Sequence, residues 1–294
     1  MSEIKYPIYL DSHATTPVDP RVFEEMTPYF TEHFGNASSL DHSFGYDASI
    51  AVSEAREKIA KAIGTNMDEI LFTSGATESD NLALLGVMER NKSKGNHLIT
   101  CVSEHKAILD TAKHLEKIGC KVTYLPVDEF GLIDLEELKS AITDETVLIS
   151  IMFANNEIGT IQNIAEIGKI AHEHDVLFHT DAAQALGHIP IDVKKMNIDL
   201  MSISSHKIYG PKGIGALYVR SILPRVKINS IVYGGGQERN IRSGTLNVPG
   251  IVGFAKAVEI ALDEMDSENI RFKKWTDSML EQFSKVGGKL NGHP

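Results

Sequence analysis

The chain has 294 residues, 42% of them hydrophobic and 23% charged, which is enough for one large domain and a smaller one. Its formal net charge of −11 disfavours nucleic acid or an anionic membrane as the main partner. No apolar run reaches the length of a membrane span, and the N-terminus resembles neither a signal nor a transit peptide, so we predict a cytoplasmic protein.

Helical and strand-like patterns alternate along most of the chain, beginning with apolar residues at helical spacing from Ile50 to Ile63. The predicted strands cover residues 69–73, 97–102, 121–126, 146–153, 176–180, 199–204 and 214–219. The other predicted helices cover residues 79–88, 106–118, 134–142, 164–174, 249–265 and 268–286. This alternation predicts an α/β fold with a mostly parallel central sheet and helices on both faces.

The two cysteines fit a reducing compartment and not a disulfide framework. Cys101 falls in a predicted core strand, and Cys120 follows Gly119 at a junction between a helix and a strand. The sequence has no Cys-X-X-Cys pair, and His172 and His174 would face apart on a helix. We therefore predict no metal site.

Ligands of open parallel sheets bind beyond the carboxyl ends of the strands, so the loops after the strands are the candidate sites. The run from Thr73 to Thr77 forms a glycine turn between a strand and a helix. Free backbone N–H groups and hydroxyls at such a turn bind anions, although an ordinary capped turn is the alternative. The run lacks the Walker pattern of nucleotide-binding loops.

Three more strand ends carry polar side chains. His105 follows residues 97–102, where an imidazole could stack on a flat cofactor and move protons. Asn155 and Asn156 follow the strand predicted at 146–153, where amides could bond a phenolic oxygen. Asp181 ends another strand, where a carboxylate could keep a pyridine nitrogen protonated. Each of these residues taken alone also fits a structural role as a cap or a turn residue.

Lys207 follows Ser204-Ser205-His206 at the end of a strand and precedes a Gly210-Pro211 turn. A partly buried lysine has a lowered pKa and can attack a carbonyl carbon to form a Schiff base. The serines and the histidine can hold a phosphate, and a solvated surface lysine is the alternative for this run alone. The five strand-end features together predict a site for pyridoxal 5′-phosphate.

Several longer motifs extend this pattern from Tyr9 to about Leu290. They are Tyr9–Pro17, Phe34-Gly35-Asn36, Thr73–Asn81, Glu104-His105-Lys106, Asn155–Gly159, Ser205–Gly213, Gly234–Glu238 and Arg242–Thr245. In this combination the sequence resembles the cysteine desulfurases that serve iron–sulfur cluster assembly. One departure is Ala37, where that family usually has proline, and we expect it to have little effect.

The resemblance implies the fold-type-I architecture of pyridoxal-phosphate enzymes, with a large cofactor domain at residues 15–260. A smaller and incomplete α+β domain would combine residues 1–14 and 261–294. Lys207 would form the Schiff base and His105 would stack on the ring. The other implied cofactor contacts are Asp181 at the pyridine nitrogen, Asn156 and Gln184 at the phenolic oxygen, and Ala76, Thr77, Ser204 and His206 at the phosphate.

The resemblance also implies a reaction and partners. L-cysteine would be the substrate, and L-alanine and a protein persulfide would be the products. Thr245 would reach the phosphate of the other subunit, which makes the enzyme a homodimer with shared active sites. The sulfur would pass to iron–sulfur scaffold proteins or other sulfur acceptors.

The family's nucleophilic cysteine and a substrate-binding arginine lie beyond the point that matches Pro294. Neither Cys101 nor Cys120 matches the motif of that nucleophile. We therefore expect a complete cofactor site that is inactive without an outside cysteine, and a segment at 268–286 with an exposed apolar face. The alternatives are a related activity, such as that of a selenocysteine lyase or an aminotransferase, and a catalytically inactive module for dimerisation or partner binding.

Overall fold

The computed structural model describes residues 7–222 and 225–293, and a seven-stranded sheet in the order β1-β7-β6-β5-β4-β2-β3 organises them. Strand β7 runs antiparallel to both of its neighbours, and the other strand pairs are parallel. The strands are β1 (Ile70–Thr73), β2 (His97–Cys101), β3 (Lys121–Leu125), β4 (Thr146–Ser150), β5 (Leu177–Asp181), β6 (Leu200–Ser204) and β7 (Gly215–Val219). The predicted α/β class and mostly parallel sheet are confirmed.

Helices cover both faces of this sheet. They are α1 (Pro20–Met26), α2 (Pro28–Thr31), α3 (Ser43–Ala62), α4 (Ala76–Arg90), α5 (Lys106–Lys117), α6 (Leu135–Ala141), α7 (Ile164–Glu173) and α8 (Val248–Lys285). One apolar cluster joins the sheet to α3, α7 and α8, and a second cluster joins the opposite face to α4 and α5. The parallel strands end at one edge of the sheet, and the predicted site residues lie at these strand ends or in the loops that follow them.

The helix predictions differ from the structure in two places. Helices α1 and α2 are too short to show apolar periodicity, although Asp19 caps α1 and Pro20 starts it. The segments predicted at 249–265 and 268–286 form the single helix α8, because the intervening Asp266 and Ser267 do not interrupt its backbone.

The two halves of α8 have different surroundings. Its buried residues lie between Val248 and Val258, where the helix packs on α1 and α3. Large apolar side chains farther along are more than half exposed, namely Ile270, Trp275, Met279 and Phe283. The predicted exposed apolar face is confirmed.

Within residues 7–222 and 225–293, no helix has both the length and the apolar content to cross a membrane. The same ranges contain no cluster of three or more side chains suited to holding a metal ion.

Candidate active site

The carboxyl ends of β1, β2, β4, β5 and β6 surround a cleft of about 740 Å³. Nine of the ten predicted site residues line it: Ala76, Thr77, His105, Asn156, Asp181, Gln184, Ser204, His206 and Lys207. The tenth, Thr245, is exposed and lies outside the lining. Residues far apart in sequence meet here because parallel strands place their carboxyl ends at one edge of the sheet.

The N-terminus of α4 forms the anion-binding side of the cleft. The capping residue Gly75 has a φ of 146° and supplies no side-chain cap to the helix. The first N–H groups of a helix have no partner inside that helix, so those of Ala76 and Thr77 are available to a phosphate. Ser204 and His206 line the same cleft from the end of β6.

Lys207 lies in the 3₁₀ turn Ser205–Lys207, directly after β6. Its ammonium group donates to the backbone oxygen of His13 and, at 3.0 Å, to that of Ala14. Burial lowers the pKa of Lys207, and the nearby carboxylates of Asp181 and Asp11 oppose that change. The amine therefore loses its proton more readily than a surface lysine, as a Schiff-base nucleophile requires.

The N-terminal segment closes the cleft over this lysine. Gln184 donates through Nε2 to the backbone oxygen of His13 at 2.9 Å. The ring Nδ1 of His206 lies 3.0 Å from the Thr15 hydroxyl. No site role was predicted for this segment, although Tyr9–Pro17 is one of the motifs that carry the family resemblance. The feature of the sequence that could have indicated such a role is the polar run Asp11-Ser12-His13. It lies outside any predicted helix or strand, so its position in the fold could not be predicted.

Asp181 supplies a buried carboxyl at the base of the cleft, with 6% of the residue exposed. Burial raises its pKa, whereas a 2.9 Å hydrogen bond from the backbone N–H of Ala183 and the charges of His105 and Lys207 act in the opposite direction. A carboxyl in this position is stabilised as an anion when a cation lies against it. A protonated ring nitrogen would be such a cation.

His105 caps α5, and its Nδ1 accepts the backbone N–H of Ala107 at 3.1 Å. The proton of the neutral ring is therefore on Nε2. Asn156 lines the cleft, while its neighbour Asn155 is buried and donates to the backbone oxygen of Ser103 at 2.8 Å. Asn156 therefore faces the cleft, whereas Asn155 holds its own loop against the turn that contains Ser103.

Neither cysteine of the sequence lines the cleft. Cys101 is fully buried, and its thiol donates to the carboxyl of Glu104 over 3.4 Å. Burial raises the thiol pKa of both Cys101 and Cys120. Because the thiolate is the reactive form of cysteine, both residues are poor nucleophiles.

Comparison with known proteins gives results in agreement with this geometry. The family model for class-V aminotransferases matches residues 8–290. Cysteine desulfurase IscS of Rickettsia massiliae (strain Mtu5) is 55% identical over 296 residues, which cover 99% of this chain and 72% of that protein.

Two solved structures share the fold. A NifS-like protein superposes with a TM-score of 0.92 at 44% identity, covering 95% of this chain and 76% of that one. SspA in complex with cysteine has a TM-score of 0.82 at 47% identity, covering 85% of this chain and 72% of that one. These neighbours confirm the fold-type-I architecture. This chain therefore belongs to the class-V aminotransferase family and, within it, to the cysteine desulfurases, a family that depends on pyridoxal 5′-phosphate.

Proposed function

We propose that this chain binds pyridoxal 5′-phosphate in the cleft and acts on L-cysteine, as the sulfur-releasing part of a cysteine desulfurase of iron–sulfur cluster assembly. The observation that carries the proposal is that Lys207 and Asp181 line one cleft, where burial lowers the pKa of the amine and raises that of the carboxyl. The cofactor supplies an aldehyde for Schiff-base formation and a ring that accepts electrons from the substrate Cα.

The residues of the cleft fit this group at each of its polar positions. Ala76 and Thr77, with Ser204 and His206, would hold the phosphate through backbone N–H groups and side-chain donors. Asn156 and Gln184 would bond the phenolic oxygen. The observation that supports phosphate binding is the N-terminus of α4, which has no side-chain cap because its capping residue is Gly75.

Three side chains would hold or move protons during the reaction. Asp181 would keep a proton on the ring nitrogen through a charge-assisted hydrogen bond. Once the substrate amine takes its place, Lys207 would remove the proton from the substrate Cα. His105 would stack on the ring and use its Nε2 to pass protons, because its Nδ1 is occupied by the cap of α5.

The sulfur step needs a cysteine thiolate that attacks the substrate sulfur, so that the carbon–sulfur bond breaks and L-alanine and a protein persulfide result. The chain has only Cys101 and Cys120, which lie away from the cleft and have raised thiol pKa values. We therefore infer that these 294 residues do not form the persulfide by themselves.

A homodimer with shared active sites is part of the proposal. Thr245 is exposed and lies outside the cleft of its own chain, which is consistent with a contact to the phosphate of the other subunit. Iron–sulfur scaffold proteins or other sulfur acceptors would receive the sulfur, and a cytoplasmic location is predicted. The known complex of SspA with cysteine favours L-cysteine as the substrate of this chain.

The substitution Lys207→Ala tests the site. Protein incubated with pyridoxal phosphate should show the visible absorption of a protein Schiff base, and Lys207→Ala should abolish it. The exposed Lys58, which pairs with Glu259 on the protein surface, gives the matched control Lys58→Ala, which should keep the absorption. Retention of the absorption by Lys207→Ala would contradict the assignment of this lysine.

A catalytically inactive module for dimerisation or partner binding is the second candidate, and it is favoured by the position of Cys101 and Cys120, neither of which lines the cleft. Adding L-cysteine to the cofactor-loaded chain separates the candidates. The proposed function predicts L-alanine formation once a cysteine-bearing partner is supplied, whereas the inactive module gives a spectral change without product. Faster product formation from L-selenocysteine would instead indicate a selenocysteine lyase.

A further inference from the structure

A group of buried polar side chains lies beneath the cleft, and the proposed reaction does not use it. Asp80, Glu104 and His179 are 0%, 6% and 0% exposed. They come from α4, from the turn after β2 and from β5. In the part of the chain that the structure describes, no lysine or arginine pairs with either carboxyl, and the imidazole of His179 lies 3.7 Å from Asp80.

Glu104 connects the turn after β2 to the end of β4. Its Oε1 accepts the backbone N–H of Met152 at 2.6 Å and the Cys101 thiol at 3.4 Å. Its Oε2 is buried and has no hydrogen-bond partner among the described residues. A second bond, from Asn155 to the backbone oxygen of Ser103, joins the same two segments. This turn continues directly into His105, so the orientation of that imidazole depends on these bonds.

Burial and a neighbouring carboxyl oppose the ionisation of Glu104. Burial is the main cause that raises its pKa, to about 8, and the carboxyl of Asp181 adds to the effect, whereas the hydrogen bonds from Met152 and Cys101 act in the opposite direction. Burial and Asp181 also raise the pKa of Asp80, on which Glu104 acts too. Burial lowers the pKa of His179 to about 3, so its imidazole supplies no compensating cation.

Asp80, Glu104 and Asp181 are three neighbouring buried carboxyls, and they cannot all be ionised without a nearby cation. Asp181 differs from the other two, because it faces His105 and Lys207 across the cleft. Because no cation in the described part of the chain acts on Asp80 or Glu104, Asp181 is the carboxyl of the three that ionises most readily.

We propose that Glu104 is a positioning residue of this site. As an uncharged carboxylic acid it fastens the turn that carries His105 to the end of β4, and it leaves Asp181 as the single negative charge beneath the cofactor. The proposal rests on the proposed binding of pyridoxal 5′-phosphate to this cleft.

The first test compares Glu104→Gln with Glu104→Ala in protein loaded with pyridoxal phosphate. Glutamine keeps an oxygen acceptor for the Met152 N–H and carries no charge, so its affinity for the cofactor should stay within about twofold of the unsubstituted protein. Alanine removes the bond that holds the turn, and the dissociation constant should rise about tenfold or more. The control is Glu69→Gln, because Glu69 is also buried but accepts the Ser221 N–H at the amino end of β1, away from the cleft.

The absorption of the bound cofactor, followed against pH, tests the charge of Glu104. The apparent pKa of the Schiff base should be unchanged in Glu104→Gln if Glu104 is uncharged. If Glu104 were ionised, glutamine would remove a negative charge from beneath the Schiff base, and that pKa would fall by about one unit. A fall of this size would overturn the proposal, and so would cofactor affinity in Glu104→Ala equal to that of the unsubstituted protein.

A second test needs no cofactor. An uncharged Glu104 keeps its proton in the folded chain up to about pH 8, whereas the unfolded chain releases it near pH 4.5. The unsubstituted protein therefore loses stability relative to Glu104→Gln as the pH rises from 4.5 to 8. Chemical unfolding across this range should show that divergence, and parallel curves would contradict the proposal. Failure of the unsubstituted protein to bind pyridoxal phosphate would instead contradict the proposed function.

Discussion

At the scale of single residues, the type of side chain and its position after a strand were sufficient to predict most of the cleft. Lys207, His105 and Asp181 are polar residues that each follow an apolar run, and a parallel sheet brings such residues together. Glu104 was not singled out. A glutamate in a turn is normally solvated, and only the packing of β2 against β4 buries its carboxyl.

His179 gives a prediction at this scale. Its imidazole is fully buried between the hydroxyls of Ser150 and Ser202, at 2.9 and 3.0 Å, and burial lowers its pKa from 6.5 to about 3. The unfolded chain takes up a proton here below pH 6.5, whereas the folded chain does not until about pH 3. The stabilisation by a neutral His179 is therefore complete above pH 6.5 and is lost progressively as the pH falls towards 3.

Chemical unfolding at pH 7 and pH 5 measures this contribution. The unsubstituted protein should lose about 2 kcal/mol more than His179→Gln between these two values. His114→Gln is the control for replacing a histidine by glutamine, because His114 lies exposed on α5. An equal loss in His179→Gln and the unsubstituted protein would show that the buried ring does not contribute to the acid sensitivity.

At the scale of elements, the ion pair between Arg56 and Glu238 is one of the contacts that fix the loop before Thr245 to the edge of the sheet. The guanidinium of Arg56 on α3 donates to both carboxylate oxygens of Glu238, at 2.7 and 2.6 Å. The same carboxylate accepts the backbone N–H of Phe72 on β1 at 2.7 Å. The two charged side chains are only 13% and 2% exposed, so water cannot replace either partner.

Removing one partner should therefore be costly. Glu238→Ala would leave the Arg56 charge buried without its partner and should lower the free energy of unfolding by about 3–5 kcal/mol. The control Glu259→Ala breaks an exposed pair with Lys58 and should cost about 1 kcal/mol or less. Urea unfolding of both variants measures the difference, and equal losses would show that the loop is held by other contacts.

At the scale of the whole molecule, α8 joins a packed segment to an exposed one. Its first half lies in the core against α1 and α3, and its second half presents Trp275 and Phe283 to solvent. The division into a domain at 15–260 and a second one from residues 1–14 and 261–294 is compatible with this change. It stays a prediction, and residues 1–6 and 294 of the second domain lie outside the described residues.

The same contrast predicts a gradient of local stability along α8. Amide hydrogens between Val248 and Leu262 should exchange at the slow rates of the core. Those between Ile270 and Lys285 should exchange much faster, because few tertiary contacts oppose local opening there. Hydrogen exchange followed by mass spectrometry resolves the two halves. Uniform protection along the helix would mean that the exposed face is covered in solution, for example by a second copy of the chain.

The sequence by itself determined the order of helices and strands and the mostly parallel sheet. Of the ten residues predicted for the cleft, nine line it. The helices, strands and sheet follow from local apolar patterns, and His105, Asp181 and Lys207 follow from polar residues at strand ends, which are properties of short segments. The role of Gln184 came from the family resemblance. The closure of the cleft by residues 11–16, the burial of Glu104 and the pair between Arg56 and Glu238 were decided by the tertiary structure alone. Each of them joins segments far apart along the chain, and no local pattern encodes which distant groups will meet.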